Sequence, residues 1–228
     1  MINELEYSFI IHSRSYSETS IIFDVLTMNN GMISVIAKGA KRKKDISLLQ
    51  PFKELIINFS KKGNLPLLTK YEVHKPYPVV KKNFLLLGLY YNELLLRFMP
   101  KQEPSINIYN LYKNHLDYMS HTDDSNDAIS LKFEILFLQE IGYKVNIAEV
   151  HSKNIISKAK FYYDHEVGFR PIRSKNEEPF SIDGDSINYL LQNKFNQIQD
   201  IKKIRLIVRN LINELLGKYD IKSYDLFD

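Results

Sequence analysis

Ser20-Ile-Ile-Phe-Asp-Val-Leu-Thr27, then Asn29-Asn30-Gly31, then Met32-Ile-Ser-Val-Ile-Ala37, then Lys38-Gly39-Ala40-Lys41-Arg42-Lys43-Lys44, is the stretch that decides the fold. Its two outer runs are β-branched and aromatic, the composition of strands. Asn and Gly between them tolerate positive φ, so the chain can reverse there as a hairpin. A short apolar run, Ser8–His12, precedes this hairpin. Leu55–Phe59 and Leu67–Val73 follow it, separated by Lys61-Lys62-Gly63-Asn64. About five short strands with hairpin punctuation suit a small closed barrel, of which the OB-fold is the common five-stranded case. An SH3-like barrel fits the same pattern.

Pro76 and Pro78 end this segment, because proline neither donates to a ladder nor continues a helix. The spacing of apolar residues then changes from strand-like to helix-like. The expected organisation is α+β: an N-terminal five-stranded barrel over 1–78 and a mainly α-helical domain over 79–228. Asn83–Met99 is apolar on most faces and stops at Pro100, as a largely buried helix does. Ser105–Ser120 places Ile108, Leu111, Tyr112, His115 and Met119 on one stripe. Asp127–Ile141 is a third helix, with Asp127 as candidate cap and Gly142 as its left-handed terminus. His121–Asp127 is the one stretch polar enough to suggest disorder. Lys160–Ile172 reads as a small hairpin near the C-terminal end. Ser181–Asp183 leads into a helix through Leu191, and Ile201–Leu216, closed by Gly217, is the last long helix.

The hydrophobic fraction of 44% and charged fraction of 25% are ordinary for a globular chain. No uninterrupted apolar run reaches the roughly 18 residues of a membrane helix. Glu4 and Glu6 sit where a secretory leader would be basic and then apolar. Cysteine is absent, which removes disulfides and thiolate metal sites. The expected location is the cytoplasm.

Charge is distributed unevenly. Residues 1–80 hold 11 Lys/Arg against 7 Asp/Glu, and 81–228 hold 20 against 20, so the first third carries the whole net charge of +4. The centre of that excess is Lys38, Lys41, Arg42, Lys43 and Lys44, five cations within seven residues, directly after a strand. A basic loop on a barrel suits phosphate contacts, whose strength falls steeply with salt. A merely solvated face would more often mix in Glu and Asp. Arg14, Lys53, Lys61, Lys62 and Lys70 are expected to extend the path. Tyr16, Phe52, Phe59 and Tyr71 are available for base stacking, although Phe52 and Phe59 read more readily as barrel core.

Catalytic patterns are missing. The six histidines, at 12, 74, 115, 121, 151 and 165, form no helical metal pair with a carboxylate between them. No phosphate-cradling glycine loop and no nucleophile elbow occurs. Asp123-Asp124 lies in a Ser/Asn/His/Thr-rich loop and reads as solvated. No catalytic residue, metal or cofactor is expected.

Several phrases in order along the chain resemble the RecO family. They are Ile11-His12-Ser13-Arg14, Ser17-Glu18-Thr19-Ser20, Asp24–Thr27 with Gly31, Ala37–Lys41 and Leu49–Phe52 in the strand-rich part. Tyr90–Leu95, Phe133–Tyr143 and Ile221–Phe227 follow in the helical part. The resemblance implies an OB-fold followed by a helical domain. It also implies a non-enzymatic, nucleoid-associated role in recombinational repair. That role comprises binding single- and double-stranded DNA, annealing complementary strands, and helping to load RecA-type recombinase onto strands coated by single-stranded-DNA-binding protein (SSB). RecR-type protein is the implied partner, with recombinase engaged indirectly and no membrane involved. Many relatives carry a four-cysteine zinc site after the Gly-Tyr segment. Here that stretch is Val145–His151, which implies the zinc-free branch and a zinc-less hairpin near 158–173. Tyr224 stands where relatives have arginine. The family also binds the acidic, Phe-ended SSB tail on its helical body. Lys132 occupies the position of a basic residue in that site, and Arg97 and Lys113 are further candidates. The alternative is a general OB-fold RNA- or DNA-binding accessory factor without SSB interaction.

Overall fold

The computed structural model describes residues 5–60, 65–77, 82–143, 159–164, 166–217 and 220–226. Five strands come first: β1 (Glu6–Ser15), β2 (Ile21–Thr27), β3 (Gly31–Ala37), β4 (Lys53–Phe59) and β5 (Leu68–Pro76). They form one antiparallel sheet in the order β3-β2-β1-β4-β5. The outer strands meet through a single parallel bridge, Ile36 to Leu67, where the Ile36 amide donates to the Pro66 carbonyl at 2.8 Å. That order with a parallel contact between the third and fifth strands is OB-like, and it decides against the SH3-like alternative. The sheet is not otherwise closed.

The β2–β3 hairpin turns where the Asn-Asn-Gly signal stands. Glu6 accepts from the Asn29 backbone amide and from both Asn side chains of the turn. Thr27 Oγ1 bridges the turn, accepting from the Asn30 amide and donating to the Gly31 carbonyl. Gly31 has φ +66°, and a Cβ there would lie 2.2 Å from the Glu103 carbonyl oxygen, so no side chain fits.

Inside the sheet, Ile10, Phe23, Val25, Ile33, Val35, Leu55, Ile57 and Leu68 form the core. Each such burial stabilises by about 1.5–3 kcal/mol. Two short 3-10 turns, Ala40–Arg42 and Lys44–Leu48, link β3 to β4, and Ala40, Ile46 and Leu49 close the end of that core.

Two helices follow, α1 (Lys82–Phe98) and α2 (Ile106–His121), the second capped by the Ser105 hydroxyl. Both pack on the barrel. Phe9 lies among the rings of Tyr77, Tyr109 and Tyr112, and Asn92 Nδ2 donates to the Ile11 carbonyl. Phe52 adopts φ +63° and lays its ring on Gly88, where a Cβ would come within 2.5 Å of it. Accordingly the chain divides by packing into residues 1–122 with 221–228, and residues 123–220. The first unit extends well beyond the change from strands to helices.

The second unit holds α3 (Asn126–Glu140), the strands β6 (Lys160–Asp164), β7 (Gly168–Pro171) and β8 (Ile182–Asp183), α4 (Gly184–Leu191) and α5 (Ile201–Leu216). The hairpin expected near 160–172 is β6–β7, in a sheet ordered β7-β6-β8. Arg170 holds it by ion pairs to Asp164 and Glu177. Gly142, after α3, has φ +90° as expected. The α3 cap is Ser125, whose hydroxyl accepts from the Ala128 amide, and not Asp127. Asp127 instead pairs with Arg205 of α5, a partner 78 positions away that no local pattern reveals. The polar stretch around 121–127 is similarly tied down, with Asp124 accepting from Asn196 Nδ2.

Candidate nucleic-acid interface

The basic run sits on the turns between β3 and β4. Gly39, with φ +68°, reverses the chain immediately after β3. The Lys41 amide then donates to the Thr19 carbonyl, and Lys41 Nζ donates to the Ser17 carbonyl at 2.8 Å. These bonds fix the run against the β1–β2 loop. Lys38, Lys41, Arg42, Lys43 and Lys44 are all exposed. No carboxylate of the described residues lies within ion-pair distance of any of the five. Tyr16, 61% exposed, stands at the entry to that β1–β2 loop.

The other expected cations divide. Lys70 is exposed on β5, next to Tyr71 and opposite Asn58. Lys53 Nζ turns back to the Ser47 carbonyl at 2.9 Å. Lys61 and Lys62 lie outside the described residues. Arg14 is engaged in the fold: its guanidinium reaches Asp24 Oδ2 at 2.5 Å. Of the aromatics, Phe59 packs against the barrel core as expected, whereas Phe52 is buried outside that core, on α1.

Asp24 organises a cluster that the sequence reading missed. A β-bulge at Ile11 shifts the register of β1, so that His12 pairs with Asp24 and both His12 and Arg14 point outward. His12 Nδ1 lies 3.3 Å from Asp24 Oδ2, the Ser34 hydroxyl donates to Oδ1, and Lys101 Nζ donates to Ser34 Oγ at 2.9 Å. Burial pushes the Asp24 carboxyl up, but the Ser34 hydroxyl, Arg14 and His12 outweigh it and leave the pKa lowered. An aspartate within the apolar run of β2 was the available signal. Its partners depended on a bulge that no sequence pattern encodes.

Of the three residues considered for an acidic tail, Lys113 on α2 donates to the buried Glu54 at 2.7 Å, alongside the Tyr109 hydroxyl. Arg97 on α1 pairs with Glu93, which also accepts the Lys222 and Ser223 amides. Lys132 lies on α3, in the second unit, next to the fully buried Phe133. Val145–His151, the stretch that replaces the zinc ligands, lies outside the described residues. Among the described residues no three His, Asp or Glu side chains gather where they could hold a metal ion. No described helix is long and apolar enough to cross a membrane.

Two family models match in tandem: Recombination protein O N terminal over residues 1–77, and Recombination protein O C terminal over residues 84–225. Relatives extend over the same length. The DNA repair protein RecO of Hamiltonella defensa is 33% identical, covering 96% of this chain and 95% of that protein. Those of Coxiella burnetii and Cellvibrio japonicus are 31% and 30% identical, with 97% and 98% of this chain covered and 96% of each relative. A basic turn on an OB-like sheet and this full-length likeness lead to one conclusion: the chain belongs to the RecO family of DNA repair proteins.

Proposed function

We propose that this protein is a non-enzymatic recombination mediator, acting in the cytoplasm at the nucleoid. It binds single- and double-stranded DNA on the N-terminal part, residues 1–78, and anneals complementary strands. With RecR-type protein as partner it helps RecA-type recombinase onto SSB-coated single strands. The observation that carries this reading is the run Lys38–Lys44, five exposed cations with no acidic partner among the described residues. Cations of this kind neutralise phosphates and lower the repulsion between two strands, so that complementary bases can meet. The helical part, residues 79–228 with its zinc-less hairpin, takes the acidic SSB tail. Such a tail needs an apolar slot for its terminal Phe and a cation for its carboxylates. Lys132 is the first choice for that cation, because it stands at the position where the family resemblance puts a basic residue. Lys113 and Arg97 are weaker choices, since they hold Glu54 and Glu93.

Fluorescence titration of a labelled single strand tests the DNA reading. Binding at low salt should weaken at least tenfold between about 50 and 200 mM salt. No binding at low salt, or binding insensitive to salt, overturns it. An acidic, Phe-ended SSB-tail peptide tests the second half. Should DNA bind and the peptide not, the chain is a general nucleic-acid-binding module without SSB interaction.

A further inference from the structure

The outer face of β2 and β3 is largely closed to bases. Ile22, Leu26, Met32 and Ile36 point outward from these strands, and all are buried. The Gln102 amide donates to the Met32 carbonyl at 2.9 Å, and the Glu103 backbone lies against Gly31. A base that arrives beside the basic run needs another platform. Most rings of residues 5–77 are already packed. Phe9, Phe23, Phe52 and Tyr77 are buried, and Tyr71 is half-buried with Lys43 Nζ 5.5 Å from its ring centre. Tyr7 is 38% exposed and stands edge-on to His74. Tyr16, at 61%, is the most exposed aromatic of these described residues.

One exposed tyrosine is ordinary on a protein surface. The setting of Tyr16 is not. Its amide donates to the Ser20 carbonyl at 3.0 Å, and the Ser20 amide donates to the Ser17 hydroxyl at 3.1 Å, so the loop from Tyr16 to Ser20 is a closed turn that holds the residue in place. The basic run is bonded to that same turn, through the Lys41 amide on the Thr19 carbonyl and Lys41 Nζ on the Ser17 carbonyl. The Lys41 ammonium is thereby held beside the residue next to Tyr16. It carries three donors, of which the Ser17 carbonyl takes one. Glu18, the one carboxylate of the loop, is exposed and repels phosphates from the loop itself. Phosphates are therefore favoured on the run, and the ring beside them is left to an uncharged flat group.

We infer that Tyr16 is a base platform: one unpaired base of a bound strand lies flat on its ring while a neighbouring phosphate sits on Lys41. This rests on the proposed DNA binding and gives it a direction. Single strands and duplexes both carry phosphates, so the run holds both. A base is free to lie on a ring only while it is unpaired, so Tyr16 adds to single-strand binding alone. Annealing takes the base off the ring, and the grip on the duplex product is weaker than the grip on the substrate strands.

Titration of three labelled ligands tests this: a thymidine oligonucleotide, an abasic strand of equal length that keeps every phosphate, and a duplex. The unaltered protein should bind the thymidine strand about tenfold more tightly than the abasic one, the contribution of one stacked base. Tyr16→Ala should abolish that preference. It should leave abasic-strand and duplex affinities within about twofold, because no phosphate contact is removed. Tyr16→Phe, which keeps the ring and drops the hydroxyl, should retain the preference. The ring is exposed, so both are surface changes that leave the fold intact. Equal affinity of the unaltered protein for the two single strands, or a Tyr16→Ala protein that keeps the preference, overturns the inference and leaves phosphate binding on the run standing. A Tyr16→Ala protein weakened equally on all three ligands overturns it too, since the ring would then act only by placing Lys41. If the unaltered protein binds none of the three, the DNA reading falls as well.

Discussion

Around Asp24, three basic side chains converge on one buried carboxylate: Arg14 directly, His12 at 3.3 Å and Lys101 at 3.9 Å. A few residues further along the same barrel, Lys38–Lys44 presents five cations with no described carboxylate in reach. The contrast recurs elsewhere. Lys113 holds Glu54, which is 1% exposed, and Arg205 holds Asp127 and the fully buried Glu134. Positive charge counted in a sequence is thus of two kinds. One kind neutralises acids that folding has buried, and adds little to the field outside. The other faces water and is open to a polyanion. The excess of basic residues in the first third acts outside the fold only through the second kind.

Removing a cation of the first kind should cost stability, and removing one of the second kind should cost binding. The largest effect is expected at Arg205. Arg205→Ala leaves Glu134 without its guanidinium in the interior, a loss of about 3–5 kcal/mol in chemical denaturation. DNA affinity at a temperature where the protein is folded should not change. A loss under about 1 kcal/mol would mean that this pair is not an anchor, and the division into two kinds would blur. Next comes the basic run. Replacing Lys41, Arg42, Lys43 and Lys44 together with Ala should weaken single-strand binding by about tenfold to a hundredfold near 0.1 M salt. The dependence of log affinity on log salt should become shallower by about 0.7 for each phosphate that is no longer neutralised. Unfolding free energy should fall by no more than about 1–2 kcal/mol, chiefly from the lost Lys41 Nζ bond to the Ser17 carbonyl. Equal loss of DNA and SSB-tail peptide binding would point to misfolding instead.

Much of the fold is legible in the sequence, for local reasons. The hairpin at Asn29-Asn30-Gly31, the helix end at Gly217 and the β6–β7 hairpin follow from residues that dictate their own backbone. The exposed basic run follows from composition alone. What escaped was non-local. Asp127 looked like a cap because caps are local, but Arg205 claims it from α5. The charge of Arg14, which placed it on the expected phosphate path, is visible in the sequence, while the bulge at Ile11 that also brings it onto Asp24 is not.

Arg14 is where the two kinds can be told apart most directly. Arg14→Ala should cost about 1 kcal/mol of stability, since Asp24 keeps Ser34, His12 and Lys101. Single-strand affinity should fall less than about threefold, below what one full phosphate contact supplies at low salt. A loss comparable to that of a lysine from the 38–44 run would return Arg14 to the DNA path.

The smallest effect concerns acid. The Asp24 carboxyl is held below its ordinary pKa of 3.8 when folded, because Ser34, Arg14 and His12 outweigh burial. The unfolded chain therefore binds this proton at a higher pH than the native one. Stability from Asp24 is present in full above the unfolded value, near pH 4, and drains as pH falls through the lowered native value. Asp117, paired with Lys75 at 2.7 Å, is lowered too, chiefly by that lysine's hydrogen bond. Both acids give the same sign on an acid titration of the thermal midpoint, so pH alone does not separate them. Salt does. Asp117 and Lys75 are about half exposed, so their attraction is screened at high ionic strength, whereas the Asp24 side chain is 4% exposed. Asp24→Asn should flatten the limb below pH 4 equally in low and high salt, and Asp117→Asn should do so only in low salt. If raising the salt removed the Asp24 effect as well, its cluster would be a surface pair, and Arg14 would count among the cations open to DNA.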